Sequence, residues 1–229
     1  MPKLISRREL LKRAGIVGAA AVVPAGASQL PDDRPPVTPP QASRVREPLE
    51  QLTATESETL EAVVERIIPS DARGPGAKEA RAARYIDRAL GGALASSRGL
   101  YAAGLAALDR AAQSSRGRRF KDLPPGEQDD ILTSFESGTV PAFDRAAAFF
   151  AIVRAHTVQG TFCDPYYGGN AGFVGWDLIG YPGVRTLVTP DEQRLGADVP
   201  PNHKSAYEYD MFTKAVASAA PMGTMTHGD

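Results

Sequence analysis

The sequence predicts an all-α protein, a helical bundle of about five to six helices with a long Gly/aromatic-rich loop and an irregular C-terminal tail. Three observations carry that reading. Apolar residues recur at three- and four-residue intervals through Ala-rich stretches, β-branched alternating runs are nearly absent, and Pro and Gly fall where helices should start and stop.

The bundle begins near Leu52. Thr53 and Thr55 are candidate caps, with Glu56 and Glu58 three residues on. Leu60, Val63, Val64, Ile67 and Ile68 then keep helical spacing until Pro69 stops the helix. Residues 70–76 read as a turn-rich loop holding Asp71, Gly74 and Pro75. A second helix is expected from Ala77 to Leu90, burying Ala82, Tyr85, Ile86, Ala89 and Leu90 and closed by Gly91-Gly92. Asp71 and Asp87 are read as turn or helix-surface acids. A third helix spans about Ser97 to Ser114, with Tyr101, Leu105, Leu108 and Ala112 as its stripe. Pro124-Pro125 opens a fourth, with Ile131, Leu132 and Phe135 inward. The fifth is expected from Pro141 to about Phe162. Its stripe is Phe143, Ala147, Phe150, Val153 and Thr157, widened by Phe149 and Ile152, which suits the centre of a bundle.

That helix leads directly into residues 164–183, where six of twenty residues are Gly, two are Pro and five are aromatic. Flexible linkers lack so many rings. Gly allows close backbone approach and rings supply contact area, so an ordered loop packed on something is expected. Trp176, the single Trp, is either a plug in its own domain or an anchor for a partner protein. Beyond Gly183 the pattern fades. Residues 184–190 suggest a short extended segment, residues 207–218 a last helix, and residues 222–229 a frayed end.

The N-terminus has the order of an export signal. Ser6-Arg7-Arg8-Glu9-Leu10-Leu11-Lys12 matches the twin-arginine pattern, with Leu10 where Phe is commonest. A weakly apolar Gly/Ala stretch follows, shorter than the roughly 20 residues of an ordinary transmembrane helix. Ala25 and Ala27 supply the small-x-small site, placing cleavage after Ala27. An uncleaved membrane anchor is the alternative. The chain thus divides into a signal (1–27), a Pro-rich tether (28–49), a helical domain (50–183) and a C-terminal extension (184–229).

Residues 1–27 carry +4, so the remainder carries −5 of the net −1. A mildly acidic body gives no electrostatic reason to bind nucleic acid. The single Cys163 can form neither an internal disulfide nor a metal cluster alone, and His156, His203 and His227 are far apart. His156, Cys163 and Asp164 could be imagined as a catalytic group, but a satisfied structural His and a buried Cys are the simpler reading. Gly169-x-x-Gly172-x-x-Gly175 lacks the preceding strand and the following Lys of a phosphate loop. No catalytic, cofactor or metal residue is assigned. A folded-protein export signal on such a chain points to a partner that carries a cofactor.

Several blocks together resemble one family. They are Ile67-Ile68-Pro69-x-Asp71, Pro75-Gly76-Ala77-x-Glu79-Ala80, Tyr85-Ile86-Asp87, Phe120-x-x-Leu123, Asp164-Pro165-x-Tyr167-Gly168-Gly169-Asn170 and Gly175-Trp176-x-x-Ile179-Gly180-Tyr181-Pro182-Gly183. The chain resembles the gluconate 2-dehydrogenase subunit 3 family, small subunits of flavin-dependent sugar and polyol dehydrogenases. The resemblance implies a non-catalytic periplasmic subunit beside an FAD-dependent large subunit of the glucose-methanol-choline type; the alternatives are a free-standing periplasmic enzyme using His156 and Asp164, or a chaperone that leaves after export. It also implies a c-type cytochrome partner with haem c, and export of the complex by the twin-arginine translocase through Arg7 and Arg8. Tyr166, Tyr167, Asn170, Trp176 and Tyr181 are the expected partner-interface residues, with Asn170 and the glycines setting the loop's shape.

Overall fold

In a computed structural model, residues 48–72 and 74–213 are described; they belong to a unit spanning Arg46–Asp229. Arg7, Arg8, Ala25, Ala27, most of the tether and the tail beyond Thr213 lie outside the described residues. The helices are α1 (Ala54–Ile67), α2 (Ala82–Ala89), α3 (Arg98–Arg116), α4 (Pro125–Glu136), α5 (Ala146–Phe162), α6 (Val174–Ile179) and α7 (Asp210–Thr213). Among the described residues there is no strand, as the sequence predicts, and no helix is long and apolar enough to cross a membrane.

Helix α1 starts at Thr53 through a reciprocal capping box with Glu56. Leu60, Val63 and Val64 are fully buried, and Ile68 follows them into the core. Bidentate ion pairs tie α1 outward, Arg66 to Asp129 of α4 and Arg98 of α3 to Glu56. In α3 the predicted stripe of Tyr101, Leu105, Leu108 and Ala112 is buried, as are Ile131, Leu132 and Phe135 of α4.

Helix α5 lies at the centre and touches α1, α2, α3, α4 and α6. Its start and its face both differ from expectation. Ala142 adopts a left-handed backbone (φ 58°), so residues 141–145 form a turn and the helix begins at Ala146. The buried face is Ala146, Phe149, Val153, His156, Thr157, Gly160 and Thr161, whereas Ala147 is exposed and Phe150 only partly covered. The apolar run 146–153 permits either phase. Gly104 of α3 decides between them, because a Cβ there would run into the Phe149 ring. Phe149 therefore seats on the glycine and meets Tyr101 and Phe135 edge-on.

Helix α2 also begins late, at Ala82 rather than Ala77, because Arg81 is left-handed (φ 59°). Residues 77–81 form a turn that docks back on α1 through Ala77 N–H to the Ile68 carbonyl (2.8 Å). Tyr85 and Ala89, expected inside, are only partly covered. Asp87 is not a surface acid: it is 1% exposed and accepts from the backbone N–H groups of Glu50, Gln51 and Leu52 at 2.8–2.9 Å, and from Arg84. Burial opposes its charge, yet these donors hold its carboxyl below the ordinary value. Asp87 thus fastens the entering chain to α2.

Candidate functional site

The C-terminal end of α5 is built to receive the loop 164–183. Thr157 and Thr161 turn their hydroxyls back to the carbonyls of Val153 and Thr157 (2.7 Å each), so neither polar group needs an outside partner. Gly160 leaves the helix surface open at a point where Tyr85 and Ala82 crowd in. The loop then lies directly on this end. A Cβ on Gly169 would strike the Gly160 carbonyl oxygen, and one on Gly175 would strike that of Thr161. These two glycines are required by close backbone approach.

Asn170 locks the loop from inside. It is fully buried and left-handed (φ 44°), a region Asn tolerates better than most residues. Its backbone N–H donates to the Gly160 carbonyl (2.9 Å), its Nδ2 to the Cys163 carbonyl (2.8 Å), and its Oδ1 accepts from the Gly175 N–H (2.7 Å). The next amide, Ala171 N–H, donates to the Ala80 carbonyl (3.1 Å) in the turn before α2. Trp176 is 5% exposed, donates Nε1–H to the Phe162 carbonyl (3.0 Å) and packs against Phe173 and Tyr181. Of the two roles open to Trp176 in the sequence, the plug is the one its position describes.

The expected interface residues therefore separate into two sets. Asn170 and Trp176 face inward and brace the loop. Tyr166, Tyr167 and Tyr181 face outward, at 57%, 46% and 38% exposure. Beside Tyr181 the end of α6 exposes Leu178 and Ile179, the latter 59% exposed. Sequence reasoning passed over these two because they sit inside a Gly-rich block with no periodicity.

The residues that could have formed a catalytic group are each used elsewhere. His156 is buried with Nδ1 hydrogen-bonded to the Tyr101 hydroxyl (3.0 Å), and burial lowers its pKa. Burial pushes the Cys163 thiol up to about 11, which leaves it a poor nucleophile at neutral pH. The Asp164 carboxylate accepts from the Tyr166 N–H, the Ser205 hydroxyl and the Ala206 N–H at 2.6–2.9 Å. Of the amides in the Gly169–Gly175 stretch, those of Asn170, Ala171, Phe173 and Gly175 are turned to Gly160, Ala80 and Asn170. Among the described residues no group of three His, Cys, Asp or Glu side chains could hold a metal ion.

Residues 54–183, more than half of the chain, match the family described as Gluconate 2-dehydrogenase subunit 3. The chain belongs to that family. No curated protein and no solved structure matched it. The match starts at the first residue of α1 and ends at Gly183, so the subunit 3 body comprises the bundle and the loop. The extension 184–213 lies outside the match yet packs on the loop through residues 202–207. Residues 184–190 carry neither helix nor strand, and Asp210–Thr213 (α7) is helical within the expected last helix, whose part beyond Thr213 lies outside the described residues. Ser205-x-x-Glu208 does form a reciprocal capping box, a pattern readable in the sequence.

Proposed function

We propose that this chain is the non-catalytic small subunit of a periplasmic, FAD-dependent sugar or polyol dehydrogenase. In this reading it binds a flavoprotein large subunit of the glucose-methanol-choline type, supports its maturation, and carries the export signal for the complex in Arg7 and Arg8. The oxidation belongs to the large subunit's FAD. A c-type cytochrome with haem c is the onward electron carrier.

The observation that carries the reading is the membership of residues 54–183 in a family named for one subunit of gluconate 2-dehydrogenase. Two features of the chain support it. His156, Cys163 and Asp164 are committed to hydrogen bonds or burial within the chain. The braced loop also presents Leu178, Ile179 and Tyr181, close together in sequence, on the outside, and apolar and aromatic side chains on a rigid base are what a partner interface needs.

The test is co-purification of the flavoprotein with full-length variants. Ile179→Asp places a charge where the partner would cover an apolar group and is expected to reduce recovered complex at least about tenfold. Tyr181→Ala should act in the same direction. Equal recovery with wild type and both variants would remove this edge from the interface.

A further inference from the structure

The subunit 3 match ends at Gly183, but the chain returns to the loop twenty residues later. Asn202 donates its N–H to the Pro182 carbonyl (3.1 Å) and its Nδ2 to the Val184 carbonyl (2.6 Å), fixing the point of return. From there Ser205 Oγ donates to one Asp164 carboxylate oxygen (2.6 Å) and Ala206 N–H to the other (2.8 Å). The Tyr207 ring stacks on Tyr166 with centroids 3.8 Å apart and planes 18° apart, and its hydroxyl meets that of Tyr167 (2.6 Å). At one side His203 Nε2 meets Asp177 (2.7 Å) and its ring stacks on Phe173. The Ser205–Glu208 capping box holds the segment in its turn.

This segment contacts the body as a ligand contacts a receptor. Its bonds are one backbone pair at Asn202, side chain to backbone, hydroxyl and backbone amide to carboxylate, and ring to ring, with no strand ladder. Among the described residues, no hydrophobic side chain after Trp176 is buried. Leu187, Leu195 and Met211 of the extension point outward, at 81%, 106% and 63% exposure. The Tyr166, Tyr167, His203 and Asp177 side chains remain about half exposed in the contact itself. His203 adopts a left-handed backbone (φ 47°), uncommon for a residue other than glycine.

We propose that Asp164, Tyr166 and Tyr167 form a peptide-recognition site, occupied in cis by Ser205-Ala206-Tyr207. Its ligand class is a turn in which a hydroxyl and the next backbone amide both donate to one carboxylate, followed by an aromatic ring for the tyrosine face. A partner segment of that chemistry competes with the chain's own segment. The tether between Gly183 and Asn202 keeps the cis ligand at high local concentration, so the site stays filled until a competitor arrives. The proposal is independent of the accessory-subunit reading, and its test needs no second protein.

The test uses the full chain and a synthetic peptide of residues 202–209 (Asn-His-Lys-Ser-Ala-Tyr-Glu-Tyr). A double variant, Ser205→Ala with Tyr207→Ala, removes the hydroxyl and ring contacts by which the cis segment fills the site. Titration is followed by NMR of the Tyr166 and Tyr167 rings up to millimolar peptide, the effective concentration typical of a flexible tether. The variant is expected to bind saturably and at least about tenfold more tightly than wild type, whose site is already filled. Adding Asp164→Ala should abolish binding. Its thermal transition should remain cooperative and within a few degrees of wild type, because the segment adds nothing to the core. Equal affinity for variant and wild type, no saturable binding by the variant, or loss of its cooperative transition would each overturn the proposal.

Discussion

Asn170 shows most clearly how one side chain decides the shape of the candidate interface. Through the two ends of one amide it joins the start of the loop at Cys163 to the start of α6 at Gly175. Asn170→Ala strands the Gly175 N–H and the Cys163 carbonyl and leaves a left-handed Ala; about 2–4 kcal/mol of stability should be lost, measurable by urea unfolding. Asn170→Asp keeps the acceptor for Gly175 but aims a carboxylate oxygen at the Cys163 carbonyl, and should cost as much. His156 supports a prediction about pH. Burial lowers its folded-state pKa below the ordinary 6.5, so the unfolded chain binds more protons than the folded one just below that value. Stability should therefore fall as pH drops through about 6.5 toward the lowered folded pKa. His156→Gln should flatten that part of the profile, whatever its effect at neutral pH; an unchanged slope would show that His156 does not set it.

At the scale of elements, the α3–α5 crossing fixes the rest. Gly104→Ala would drive a methyl into the Phe149 ring, and about 1–3 kcal/mol of destabilisation is expected. Phe149→Ala instead opens a cavity beside Tyr101 and Phe135, at about 3–5 kcal/mol. Chemical denaturation of both variants and their double would show coupling if ring and glycine are matched. Helices with one unambiguous stripe were legible in the sequence: α1, α3 and α4 place Val63, Tyr101 and Phe135 inside as their spacing demands. Helix α5 was legible as central but not in phase, since an apolar run is compatible with several faces and a partner glycine chooses one. The late starts of α2 and α5 were hidden because Arg81 and Ala142, both ordinary helix formers, are left-handed here. Asp87 was misread for a related reason: its partners are backbone amides 35–37 residues away, which no local pattern reveals.

At the scale of the whole molecule, a helical body holds a stiff loop, and the chain's own extension is laid over part of it. The loop's order was legible from its glycines and rings. Which rings face out was not, because that depends on Asn170 and Trp176 bonding to the end of α5. Export adds a prediction at this scale. If Arg7 and Arg8 address the whole complex, Arg7→Lys with Arg8→Lys should leave both this chain and its flavoprotein in the cytoplasm, as read by cell fractionation. Retention of this chain alone would mean that the partner carries its own signal.

The accessory-subunit account is tested most directly by purifying the tagged full chain from the periplasm of its native host and recording the absorbance spectrum of what elutes. The account predicts a stoichiometric, larger second subunit with flavin absorbance, and sugar or polyol oxidation that stays with that pair. A lone, colourless chain that oxidises a sugar with an artificial electron acceptor would contradict it.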